Sequence, residues 1–106
     1  MKSIINGTRY DTDKATLIGE ASGGSEFVTD YRHWSAALYI TPRSGRYFLA
    51  GRGGPMSRFA VSRGINEWSG GEGVHPMERE DAFAWAQEHL PAEVVEAQFA
   101  DLIEDA

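Results

Sequence analysis

The chain contains no cysteine. That absence excludes disulfides, thiolate nucleophiles and cysteine-ligated zinc or iron-sulfur centres, and it agrees with a reducing compartment. Long apolar runs are also missing: no segment approaches the length needed to cross a bilayer, and residues 1–6 lack the apolar stretch of a signal peptide. A soluble cytoplasmic protein without membrane association is therefore expected. Catalytic patterns are equally scarce. His33, His75 and His89 are too far apart for a His-x-x-x-His pair. There is no Gly-x-Ser-x-Gly elbow, and Asp30 near His33 has no nucleophile beside it. No catalytic residue, metal or cofactor is assigned, and a non-enzymatic protein is expected.

One sign of charge is missing from each of two long stretches. From Tyr31 to Arg63 there are six arginines and no acid, whereas from Gly64 to Ala106 there are eleven acids and Arg79 alone. The net charge of −6 disfavours general adhesion to nucleic acid or anionic membrane. Segregation of this kind suits a charged partner more than a uniformly mixed surface does.

What is present describes one domain. A length of 106 residues with 42% apolar and 25% charged residues suffices for a single core. Asn6-Gly7 between short β-favouring stretches predicts a hairpin, and Asp11 or Thr12 suits the cap of a helical turn at 13–15. Extended chain is predicted for 16–20 and a loop for 22–25. Residues 36–41 and 46–50 predict a second hairpin across Pro42, Arg43, Ser44 and Gly45. Gly51 to Pro55 is read as a strand break, 57–62 as a further strand and Gly64 to Gly73 as a glycine-rich loop. From Pro76 the period becomes helical, with Glu78, Glu80 and Asp81 in a first turn and Phe83, Ala86 and Leu90 on one face. After Pro91 a second helix places Val95, Phe99, Leu102 and Ile103 together. The fold class is α+β: an antiparallel sheet of about four or five strands built from hairpins, covered by two C-terminal helices, with residues 1–75 mainly β and 76–106 helical.

Two groups of residues are candidates for partner binding. The acidic group is Glu80, Asp81, Glu88, Glu93, Glu96 and Asp101 on a helical frame, which with Glu104 and Asp105 can imitate the phosphate ladder of DNA; its ordinary reading is a solvated helix face. The basic and aromatic group is Arg43, Arg46, Arg52 and Arg58 with Tyr39 or Tyr47, since arginines beside exposed rings hold single-stranded nucleic acid. Strand alternation sends one of Tyr47 and Phe48 inward, so core packing competes with that role. Residues 51–58 combine flexible amides with two guanidiniums, as a small-anion cradle does. They lack the Lys-Ser/Thr ending of a phosphate loop, and Pro55 removes a donor.

The pattern Ile5-Asn6-Gly7, Arg9-Tyr10-Asp11-Thr12, Leu38-Tyr39, Tyr47-Phe48-Leu49, Gly53-Gly54-Pro55-Met56-Ser57-Arg58 and Gly70-Gly71-Glu72 resembles a group of small uncharacterised proteins of bacteriophages and bacterial mobile elements. Such a context implies the cytoplasm of a bacterial host. A small, acidic, cysteine-free chain from that context is also similar to anti-CRISPR proteins, which occlude host defence complexes. The resemblance implies a host protein or ribonucleoprotein partner, a CRISPR effector among them. A small nucleic-acid-binding regulator is the alternative that the arginines support.

Overall fold

The computed structural model describes residues 1–24, 33–53, 59, 61–64, 67–69 and 71–106. The first hairpin pairs β1 (Lys2–Ile5) with β2 (Thr8–Asp11). Asn6 and Gly7 occupy its turn at φ 51° and 77°, the left-handed region that an Asn-Gly turn requires. The expected helical turn at 13–15 does not form. Asp11 Oδ1 accepts the Asp13 N–H at 3.0 Å, and this Asx turn leads into β3 (Thr16–Gly23), which takes in part of the loop expected at 22–25.

The second hairpin joins β4 (Trp34–Ile40) to β5 (Tyr47–Gly53). Thr41 closes the connection: its N–H donates to the Arg46 carbonyl, its Oγ1 accepts the Arg46 N–H, and Gly45 at φ 64° completes the reversal. Beyond it, β6 (Val61–Gly64) pairs with β7 (Glu67–Ser69), and β8 (Gly71–Met77) returns alongside β5. Two helices follow, α1 (Arg79–His89) and α2 (Ala92–Phe99), with a 3-10 turn at Ala100–Leu102. Strands β3, β4, β5 and β8 form a four-stranded antiparallel sheet in that order, so the α+β expectation holds. Among the described residues no helix is long and apolar enough to cross a membrane.

Local propensity is overridden in the middle of the chain. The glycine-rich stretch 64–73 contains β7 and the start of β8, and β5 runs through the expected break to Gly53. Pro76 lies in β8 rather than in a helix; as an edge strand, β8 tolerates a residue that cannot donate on its free side. Gly51 pairs with both Ala36 and Gly73. A Cβ at Gly51 would lie 2.2 Å from the Ser35 carbonyl oxygen and 3.0 Å from the Phe59 ring, so glycine permits the strands and that ring to close together.

The sheet is covered on both faces. On one, Ala36, Leu38, Tyr47 and Leu49 meet Trp85, Ala86, Leu90, Val95 and Phe99 from the helices. On the other, Phe48, Ala50 and Val74 meet Tyr10 of the first hairpin, with Ile5, Ala15 and Tyr39 at the margin. Tyr47 and Phe48 are therefore both buried, at 5% and 0% exposure, because alternate side chains of β5 enter different cores. On α1 the innermost residues are Ala82, Trp85 and Ala86, while Phe83 is half-buried. Val95 and Phe99 are buried as their spacing predicts, but Leu102 and Ile103 are exposed.

Candidate functional site

The helical layer gathers one sign of charge because each helix turns its apolar stripe to the sheet and its acids away. Glu80 and Asp81 stand exposed in the first turn of α1, where they complement the positive end of the helix dipole. Glu88 is exposed near the far end of α1, its Oε2 3.7 Å from His89 Nε2. Glu93 and Glu96 are exposed on α2. Between Glu78 and Asp105 there are nine carboxylates and a single guanidinium, Arg79. Arg79 is fully engaged: Nη1 and Nη2 donate to Asp101 at 2.7 and 2.6 Å, and its guanidinium carbon lies 5.8 Å from the Phe99 ring centre. The Asp101 bonds, together with the Tyr47 hydroxyl, hold the Arg79 pKa far above its ordinary range. In return, Arg79 lowers the Asp101 pKa. Of the six acids marked as candidates, Asp101 is thus tied within the fold, while among the described residues Glu80, Asp81, Glu88, Glu93 and Glu96 make no bond to an arginine.

This layer is also contoured. A groove of about 440 Å³ runs between α1 and the edge strand β8, lined by His75, Met77, Asp81, Trp85 and Glu88 among others. Asp81 and Glu88 are two helical turns apart, roughly 10 Å along the axis. Their carboxylates border a groove of mixed polar and apolar lining, a setting that suits lysine or arginine side chains with their methylene stems.

The basic candidates do not assemble in the same way. Arg43 and Arg46 are exposed in the β4–β5 connection, where Arg46 Nη1 donates to Thr8 Oγ1 at 3.3 Å. Arg52 is exposed six residues further along β5, about 20 Å away in extended chain. It stands between Ser35 and Glu72 on the neighbouring strands. Tyr39 is half-buried and stacked on Phe48 at 5.3 Å, with 13° between the ring planes. It shares with Arg52 a depression of about 570 Å³ on the hairpin side of the sheet, which Glu20 also lines. Tyr47 faces the opposite way: it stacks on Phe99 at 5.4 Å, and its hydroxyl accepts Gln98 Nε2 at 3.0 Å. Buried there, Tyr47 cannot stack on a nucleic-acid base, which corrects its place among the candidates. Arg58 and most of the anion loop, residues 54–58, lie outside the described residues, as does Asp30.

Among the described residues, Arg43, Arg46 and Arg52 form no salt bridge with a helical carboxylate; the acid that an arginine neutralises is paired within the helical layer itself. The histidines are dispersed. His89 packs between Trp34 and Trp85 at ring distances of 5.0 and 4.9 Å, whereas His75 lies 4.9 Å from Phe59. The residues that helical periodicity assigned to the wrong environment are Leu102 and Ile103; the abrupt end of α2 at Phe99 has no breaker residue to announce it. Comparison of the chain with protein-family models, curated proteins and solved structures gives no match.

Proposed function

We propose that this protein is a non-enzymatic interaction protein of a phage or mobile element that uses its acidic helical layer to cover a basic surface of a host protein or ribonucleoprotein complex. The observation that carries this reading is the state of the charges. The arginine of the helical layer is already engaged by Asp101, and among the described residues Arg43, Arg46 and Arg52 form no salt bridges with the remaining helical carboxylates. Five carboxylates, Glu80, Asp81, Glu88, Glu93 and Glu96, remain on the two helices, with Glu78 just before α1 and Glu104 and Asp105 beyond the 3-10 turn. Such an array attracts a basic surface from a distance and repels nucleic acid, so the natural counterpart is a protein face that itself binds a polyanion. An anti-CRISPR inhibitor is the form of this reading that the resemblance to phage proteins favours.

The test is direct mixing with purified type I and type II CRISPR effector complexes, followed by size-exclusion chromatography and a target-binding assay. Co-elution that weakens as salt rises, with loss of target binding, is the expected result. No co-elution with either class removes the anti-CRISPR form. A second reading, binding of single-stranded nucleic acid, draws on Tyr39 and Arg52 lining one depression. Fluorescence anisotropy with oligonucleotides at low salt separates the two: an acidic-layer binder leaves the oligonucleotides free.

A further inference from the structure

We infer that Leu102 and Ile103 are the apolar anchor of the acidic layer, made to enter an apolar recess bordered by lysine or arginine on a protein partner. This rests on the reading above and specifies where on the layer the contact is centred.

The first observation is where these two side chains are not. Continued helix would place Leu102 and Ile103 three and four residues beyond Phe99 and seven and eight beyond Val95, on the side that enters the core. The chain instead leaves helical geometry at Phe99 (φ −126°, ψ 30°). The Ile103 N–H closes a 3-10 turn on the Ala100 carbonyl at 3.3 Å, and Ile103 is extended at φ −107°, ψ 133°. The two residues consequently stand 38% and 37% exposed. Isolated exposed apolar residues are common; here two large ones stand side by side outside the helix-side core.

The second observation is that the turn is fastened. Arg79, on the neighbouring helix, binds both carboxylate oxygens of Asp101, and its guanidinium lies over Phe99, the last residue of α2. Without adding a free positive charge to the surface, this clamp ties the residue next to Leu102 to α1. A pre-positioned apolar pair loses less conformational freedom on binding than a mobile one.

The surroundings identify the occupant. Asp101, Glu104 and Asp105 are exposed around the pair, and Glu96 is exposed on α2. An anionic membrane or nucleic acid is repelled by this rim, and a second copy placed face to face brings like charges together. An apolar centre with a charged rim has the layout of a protein-binding hot spot, so the partner carries the opposite charge around an apolar recess.

The experiment uses the full chain and two synthetic helical peptides: one amphipathic and built from leucine and lysine, the other of equal charge with alanine replacing leucine. Affinity is measured by fluorescence anisotropy, and the contact is mapped by methyl NMR. The leucine peptide is expected to bind tighter, with shifts at Leu102 and Ile103. The Leu102→Ser/Ile103→Ser double variant, with an unchanged circular dichroism spectrum, is expected to lose about tenfold for the leucine peptide and nothing for the alanine peptide. Arg79→Gln should weaken the leucine peptide while the alanine peptide binds as well or better, because a positive charge has been removed. If the double variant binds the leucine peptide like the parent, the anchor is overturned; salt-sensitive binding of both peptides would still leave the acidic-layer reading in place. Failure of the parent to bind either peptide overturns both.

Discussion

The two sides of the four-stranded sheet are built on different scales. The helix side has a continuous core from Ala36 and Leu38 through Leu49 to Trp85, Val95 and Phe99. The hairpin side has a small cluster of Tyr10, Phe48, Ala50 and Val74, beyond which, among the described residues, Glu20 and Arg52 line a depression in the sheet face. A two-stranded hairpin is too small to cover a sheet, whereas two helices are sufficient. The helix side is therefore the foundation of the fold, and a firm base allows the outer surface of those helices to specialise in one charge.

The largest expected effect tests that foundation. Phe99→Ala, at a site with 0% exposure, should destabilise the protein by about 3–5 kcal/mol in urea unfolding. Tyr10→Ala should instead loosen the hairpin, seen as faster amide exchange confined to β1 and β2 with a smaller global loss. Equal global losses would erase the distinction between the two sides. Next in size is a glycine pair on facing strands. Gly51→Ala forces a Cβ against the Ser35 carbonyl and should cost about 1–3 kcal/mol. Gly73→Ala meets nothing within 4 Å and should be neutral or slightly stabilising in thermal unfolding.

These glycines show how far the sequence was legible. Turn chemistry is local, so Asn6-Gly7 and the Pro42 to Gly45 connection were readable without knowing their neighbours. The strand character of 71–77 was not, because Gly71, Gly73 and Pro76 oppose it locally and only pairing with β5 enforces it. Trp85 was overlooked beside Phe83 for a related reason. Both fit a helical stripe, and the position of the sheet decides which goes deepest.

The remaining predictions concern the charged surfaces. Glu80→Lys combined with Glu88→Lys and Glu96→Lys should reduce binding to a basic partner by about tenfold or more in calorimetric titration. Arg43→Ala with Arg52→Ala should leave it within about twofold; the reverse ranking would transfer the binding role to the sheet. Both sets should change folding stability by no more than about 0.5 kcal/mol, as exposed substitutions generally do.

The smallest effect is expected at Asp101. Its pKa is lowered in the folded state by Arg79, so the stability it contributes is fully present above the ordinary aspartate value of 3.8 and disappears as pH falls through the lowered one. Asp101→Asn should therefore flatten the acid limb of a stability-versus-pH curve while leaving its slope near neutrality unchanged. An unchanged acid limb would show that the clamp contributes nothing in solution.

The sequence by itself determined the turns, the division into a β-rich first part and a helical second part, and the separation of arginines from acids, because each depends on residues close together in the chain. Tertiary structure decided the rest. It buried Tyr47 and Phe48 on opposite faces and drew Gly71 to Met77 into the sheet. It tied Arg79 to Asp101 across 22 residues and left Leu102 and Ile103 outside the core. Those outcomes depend on what lies opposite a residue in space, which periodicity along one segment cannot specify.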